Sequence, residues 1–407
     1  MEFNSSTINL TDVFDFERLI GPISLSNFFD RYWEKEPLLL NRQNPEYYQQ
    51  LFSIADVDRI LDLNRPTGRS IRVVKNQEPL LSTKYENADG SLNLNQLYTA
   101  YAKGYTIVIN EINRFWPSLK KTCQQISNLM SYHTVANMYL TPKNQKALLP
   151  HYDTHDVFAI QIYGKKHWRI YDSPVESPLL HSFQPVFKRE QLKNMKEVCL
   201  NAGDMMYMPR GVPHEAFTSD EPSLHITIGI YPSQWYDLIQ GALQQLAFSD
   251  ARLRKALPPG FLNSENWTPE FIKDMKRNFN ELIDQAAKNV NIQQSIQLLS
   301  EEFRNQFPVE GDGHFQQIDQ LDRLELNSRL EKRQSMPCSI QRLANHTMIA
   351  YPGNSIKGPS HITSALEFIV GIKDSFQIHQ LPAMSDHNKI QLCRRLIRGG
   401  LLRKIDQ

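Results

Sequence analysis

The sequence predicts a mixed protein with a β-rich core, an antiparallel barrel or sandwich of jelly-roll texture, followed by a helical segment and a small helix-and-strand module. Three changes of texture carry this reading. From Ser70 to about Trp235, short runs rich in β-branched and aromatic residues are broken by Gly, Pro and Asp: YTIVIN (105–110), VFAIQIY (157–163), HWRIYD (167–172), MMYMP (205–209) and HITIGIY (225–231). After Trp235 the apolar period lengthens to that of a helix. From about residue 331 the pattern is mixed again.

Each element has its own local reason. Ahead of the β-rich region, LSNFFDRYW (25–33) sets Leu25, Phe28, Phe29 and Trp33 at helical spacing, which predicts one buried face. In NWTPEFIKDMKRNFNELIDQAAKNV, Thr268 suits an N-cap and Pro269 the first helical position. Phe271, Met275, Phe279, Leu282, Ile283 and Ala286 then form one apolar stripe, which either packs within its own chain or builds a dimer. In HNKIQLCRRLIRGGLLRKIDQ a helical pattern stops at Gly399 and Gly400 and a short apolar tail follows, consistent with a winged-helix type of module. Its basic residues Lys389, Arg394, Arg395, Arg398, Arg403 and Lys404 read as a solvated face rather than a nucleic-acid contact. No internal repeat or long low-complexity linker is present.

Composition narrows the function classes. The chain has 407 residues, 41% of them hydrophobic, enough for two or three cores. Lys and Arg number 45 against 44 Asp and Glu, a net charge of +1, so nothing global points to a nucleic-acid or membrane partner. The four cysteines (Cys123, Cys199, Cys338, Cys393) are too dispersed for a disulfide framework or a CxxC site and read as reduced thiols in a cytoplasm. The N-terminal MEFNSSTINLTDVFDFERL lacks the basic start and apolar run of a signal peptide, and no stretch is apolar enough to span a bilayer.

The stretch HYDTHD (151–156) packs four ligand-type residues into six positions. Read as a strand, His151, Asp153 and His155 share one face and Asp156 takes the other. His151 and His155 would then lie roughly 13 Å apart at the backbone, too far to share one ion with bonds of about 2 Å. The ligand pair is therefore His151 with Asp153, or Asp153 with His155, completed from elsewhere. In GDMMYMPRGVPH a turn, a short strand and a Pro-bounded bend deliver His214 as that third ligand. Two histidines and a carboxylate leave the remaining positions of a ferrous ion open for a co-substrate and O₂.

These segments resemble the Jumonji-C hydroxylases, and among them the ribosomal oxygenases. The likeness runs through FFDRYWEKEPLLL (28–40), KGYTIVINEINRFWPSL (103–119), VANMYLTPKNQKALLPHYDTHDVFAIQIYGKKHWRIYD (135–172), GDMMYMPRGVPHEAF (203–217) and LHITIGIY (224–231). It implies a double-stranded β-helix of cupin type within residues 1–235, a helical dimerisation domain at 236–330 and a winged-helix-like domain at 331–407. It also implies Fe(II) held by His151, Asp153 and His214, which leaves His155 at the barrel mouth, near substrate or hydrogen-bonded locally. Lys166 matches the cation that binds the distal carboxylate of 2-oxoglutarate, with Lys165 as the neighbouring alternative. Asn137 and Tyr139 match positions lining the co-substrate and substrate pocket. One departure stands out: relatives carry a small hydroxyl residue near the co-substrate where this chain has Gly229, which leaves one possible hydrogen bond to 2-oxoglutarate absent or replaced by water.

The implied activity is 2-oxoglutarate-dependent hydroxylation of a side chain in a polypeptide, a ribosomal protein first, by a homodimer. The alternatives are tailoring of a biosynthetic precursor peptide, histone demethylation and small-molecule hydroxylation.

Overall fold

The computed structural model describes residues 14–405 apart from 65, 67–69, 181, 308–310 and 334–335. The N-terminal stretch read above for a signal peptide lies largely outside the described residues. The chain divides into two compact units, Met1–Pro232 and Ser233–Gln407.

The first unit is built on antiparallel strands: β1 (Leu38–Leu40), β2 (Ile71–Lys75), β3 (Glu78–Pro79), β4 (Thr106–Ile109), β5 (His133–Thr141), β6 (Asp156–Ile170), β7 (Lys196–Asn201), β8 (Met205–Met208), β9 (His214–Phe217) and β10 (Ser223–Tyr231). They run in the order β1-β8-β6-β10-β5-β4-β2-β3, with β7 and β9 also paired to β6. The expected double-stranded β-helix is present, and alternation along its strands separates two environments. Ala136 and Met138 of β5 and Leu224, Ile226, Ile228 and Ile230 of β10 are fully buried in the main core. That core also takes Leu119, Cys123 and Ile126 from the helix Pro117–Met130, together with Phe16 and Phe28. Asn137, Tyr139, Thr141, His225 and Thr227, at the intervening positions, face the inside of the barrel and line a cavity.

VFAIQIY and HWRIYD, read as separate runs around a lysine hairpin, are one 15-residue strand, β6. Two local features turn it from one sheet to the other. A β-bulge leaves Ile162 unpaired, since Leu224 stands opposite Tyr163 while His225 stands opposite Gln161. Gly164 has φ +64°, and a Cβ there would sit 1.9 Å from the Pro222 carbonyl oxygen, so only glycine fits. The extra residue inverts the alternation: Val157 and Ala159 face inward before it, Lys166 and Trp168 after it.

LSNFFDRYW is also more irregular than its spacing suggests. Leu25–Asn27 is one helical turn and Phe28–Tyr32 is a π-type turn closed by Trp33 N–H to Phe28 O at 3.0 Å. The apolar face survives, with Phe28 fully buried between Phe16, Phe158 and Tyr207.

In the second unit, helices Trp235–Ser249, Pro269–Asn289 and Ile292–Asn305 precede two three-stranded antiparallel sheets. Thr268 caps its helix, accepting from Phe271 N–H at 3.2 Å, and Pro269 takes the first position. Of the stripe, Ala286 is buried and Phe271, Met275 and Leu282 are half-buried, but Phe279 is 62% exposed. The C-terminal helix Asp386–Arg398 ends at Gly399, Gly400 takes φ +88°, and the apolar tail becomes a strand, Leu402–Lys404, paired with Arg329–Lys332. Part of the basic cluster serves this module internally: Arg403 pairs with Glu331 and Asp312, and Arg394 donates to the Leu321 carbonyl at 3.0 Å.

Candidate active site

HYDTHD is not a regular strand. His151 forms isolated bridges to Val186 and to His214, residues 152–153 are irregular, and 154–155 bend before β6 begins at Asp156. The face argument made from strand alternation therefore does not hold here, and the geometry comes from the bridge instead. His151 N–H donates to His214 O at 3.1 Å, His214 N–H to His151 O at 2.7 Å, and Gly211 N–H to Asp153 O at 2.9 Å. These bonds lay the 151–153 arm beside the PRGVPH bend. As a result one ligand-type atom each from His151, Asp153 and His214 lies within 4.8 Å of the others. The His151 and His214 rings are 4.7 Å apart, and His214 Nε2 is 3.7 Å from Asp153 Oδ2.

The protonation pattern suits a cation. His151 Nδ1 lies 2.7 Å from Leu149 O, and His214 Nδ1 lies 3.0 Å from Val212 O. A carbonyl only accepts, so both Nδ1 atoms carry hydrogen and both Nε2 lone pairs are free. Burial and the neighbouring His151 push the His214 imidazole down to about 4, keeping it neutral. Burial alone would raise the Asp153 carboxyl, but His155, His151 and His214, with the Gln184 amide donating at 3.0 Å, hold it below its ordinary value. Two imidazole Nε2 atoms and a carboxylate oxygen within 4.8 Å of one another fit a divalent metal.

Asp156 belongs elsewhere. Fully buried, it accepts from Arg210 Nη1 at 2.9 Å and from Tyr207 OH at 2.8 Å, while Arg210 Nη2 reaches Glu34 at 2.5 Å. His155 is not in the ligand cluster; its ring stacks on Tyr231 with centroids 4.5 Å apart and borders the cavity.

The cavity, about 290 Å³, is lined by His151, Asp153 and His214 and by Lys166, Asn137 and Tyr139. Lys166 is 2% exposed, and its amine donates to Thr141 Oγ1 at 2.9 Å. Burial pushes that amine down to about 7. An ammonium with donors to spare inside a barrel fits a carboxylate that would replace its lost hydration. Lys165 points away, into an exposed pair with Glu221 at 2.7 Å. Asn137 Oδ1 accepts from Glu111 N–H at 2.9 Å, and Tyr139 stacks on His225 at 4.8 Å, nearly parallel.

Several contributors escaped sequence reading. Gln184 reaches Asp153 from an irregular segment with no periodic signal. Trp168 and His225 are buried beside Lys166 and His214, and their Nε1 and Nδ1 atoms have no hydrogen-bond partner among the described residues. Both lie on strands already recognised, and the alternation that pairs Tyr139 with His225 was the available signal.

A double-stranded β-helix gathering two histidines, a carboxylate and a buried lysine around one cavity defines a cupin-type mononuclear metal protein. Residues 112–238 match the JmjC domain family. The chain is 31% identical over 306 residues to the bifunctional lysine-specific demethylase and histidyl-hydroxylase NO66 of Aedes aegypti, covering 71% of this chain and 48% of that protein. It is 32% identical over 254 residues to ribosomal oxygenase 2 of Mus musculus, covering 60% and 54%. The chain thus spans about half the length of the curated relatives it matches. The structure of the ribosomal oxygenase YcfD from Escherichia coli, in complex with cobalt and 2-oxoglutarate, superimposes with a TM-score of 0.52 at 15% identity, over 95% of this chain and 99% of that one. Residues 112–238 thus carry a JmjC domain, and the chain is similar in sequence to ribosomal oxygenases over about half of their length.

Proposed function

We propose that the protein is an Fe(II)- and 2-oxoglutarate-dependent oxygenase that hydroxylates an amino-acid side chain in a polypeptide, a ribosomal protein. One observation carries the reading: the His151, Asp153 and His214 cluster and the buried Lys166 share a single cavity. His151, Asp153 and His214 would hold the metal through two Nε2 atoms and a carboxylate oxygen. Lys166 would anchor the distal carboxylate of 2-oxoglutarate, with Asn137 and Tyr139 lining the same pocket. When bound, the metal supplies O₂ activation coupled to oxidative decarboxylation of 2-oxoglutarate to succinate and CO₂. The chain's contribution is positional. Backbone bonds preset the ligand arms, and Val157, Met208 and Ala216 give the cavity an apolar wall that limits water.

The activities for which the relatives are named support a polypeptide substrate. The mosquito relative's demethylase designation favours a second reading, removal of a methyl group from lysine. Incubation with Fe(II), O₂, 2-oxoglutarate and ribosomal proteins separates them. Mass spectrometry should find one added oxygen on a side chain, labelled from ¹⁸O₂, whereas demethylation removes a methyl group. Turnover confined to a free metabolite or a precursor peptide overturns the substrate assignment.

The same proposal has the protein act as a cytoplasmic homodimer, with a helical dimerisation domain at 236–330 and a winged-helix-like domain at 331–407. No helix of the described residues is long and apolar enough to cross a membrane. Trp235 at 80% exposure and Phe279 at 62% offer large apolar surface on the helical segment, as an interface between copies requires. Light scattering at micromolar concentration should report a dimer, and Phe279→Glu should shift it toward monomer.

A further inference from the structure

Gly229 sits in the middle of β10, where glycine weakens a strand unless something approaches closely. Its backbone is not in the left-handed region, so an L-residue would suit the strand conformation. What excludes one is the His155 ring. A Cβ on Gly229 would lie 2.7 Å from His155 Cδ2 and 2.9 Å from Nε2. The same ring lies nearly parallel to Tyr231, 13° between planes. His155 is thus located on two sides by residues of one strand, its Cδ2–Nε2 edge against Gly229 and one face on Tyr231. The ring still borders the cavity that holds the ligand cluster, half-buried. Packing has fixed a flat polar ring at the cavity wall without making it a ligand. A stacked, preorganised ring loses little conformational entropy when it meets a second group.

We propose that His155 is the residue that reads the target side chain, and that Gly229 and Tyr231 form its seat. The missing side chain at position 229 is on this view not a lost co-substrate contact. It is the space into which the recognition ring folds. The inference rests on the proposed function and adds a specificity determinant to it. A side chain at 229 would meet the Cδ2–Nε2 edge of the ring at under 3 Å, so the ring would have to leave its present place against Tyr231.

The test is a double-mutant cycle with Gly229→Ala, His155→Ala and the combined variant. The probe is the ribosomal-protein peptide that wild-type protein hydroxylates fastest, titrated into protein loaded with Co(II) and 2-oxoglutarate, so that binding is read without turnover. Gly229→Ala and His155→Ala should each weaken peptide binding about tenfold. The double variant should be no weaker than His155→Ala alone, because without the imidazole the new methyl group displaces nothing. Co(II) affinity of His155→Ala, measured by titration of the metal-free protein, should stay within about threefold of wild type.

Additive losses would overturn the seat, since Gly229 would then act independently of His155. Loss of Co(II) binding in His155→Ala would overturn it too, by making the ring a ligand. Unchanged peptide affinity in both single variants would remove His155 from recognition. A wild-type protein that incorporates no ¹⁸O into any polypeptide instead overturns the proposed function, a failure visible before any variant is made.

Discussion

Asp153 and Asp156 flank the same bend, yet the fold treats them oppositely. Asp156, on the core side of β6, is neutralised by Arg210 and held by Tyr207, with Glu34 closing the network. Asp153, on the cavity side, has three imidazoles, His155, His151 and His214, and the Gln184 amide as its neighbours, with no guanidinium or ammonium partner among the described residues. A buried carboxylate that already has a guanidinium partner holds structure together; one surrounded by imidazole lone pairs is arranged for a cation from solution. Both clusters join the same two segments. Arg210 and His214 lie on the segment that enters β9, Asp153 and Asp156 on the segment that enters β6, so the ion pair on one side braces the ligand geometry on the other.

The sharpest way to break this contrast is to remove a ligand. Asp153→Ala or His214→Ala should lower Co(II) or Fe(II) affinity by at least about 100-fold while leaving the fold intact by circular dichroism. Asp156→Ala should act through stability instead. Leaving Arg210 with Glu34 alone and the buried Tyr207 hydroxyl without its acceptor should lower unfolding free energy by about 2 kcal/mol in urea titration. Equal metal affinity in Asp153→Ala and wild type, or a fully stable Asp156→Ala, would collapse the distinction.

The two adjacent lysines sharpen the same comparison. Lys166→Ala should weaken 2-oxoglutarate binding by about tenfold or more, with metal affinity much less affected. Because burial lowers the Lys166 pKa from its unfolded value to about 7, the ligand-free fold is least favoured by this residue below pH 7. Stability should climb as pH rises from there toward the unfolded lysine value, and Lys166→Met should flatten that slope in denaturation curves recorded without co-substrate. Gln184→Ala should reduce metal affinity by a few-fold up to about tenfold, since it removes an orienting bond from Asp153 and no ligand. Lys165→Ala should change 2-oxoglutarate affinity less than about twofold. Its pair with Glu221 is 42% exposed on both sides and is screened by water.

Local chemistry in the sequence was sufficient for the β-rich core, the Thr268 cap with Pro269, and the halt of the last helix at Gly399 and Gly400, because each depends on neighbours a few residues away. Local chemistry also nominated the ligand-type residues His151, Asp153, His155 and His214, but it left open whether His151 or His155 partners Asp153, and the resemblance alone chose His151. Tertiary structure decided what those residues do together. Strand alternation counted from Val157 would turn Lys165 inward, and only the bulge at Ile162 with the bend at Gly164 turns Lys166 to the cavity instead. The convergence of His151 with His214 comes from a long-range backbone bridge, not from the rise of a strand. Nor could sequence alone show that Gly229 leaves room for His155, since that vacancy is filled by a ring brought from another strand's entrance. Side-chain identity is local, but register, bulges and close approaches are set by what packs on the far side of the sheet.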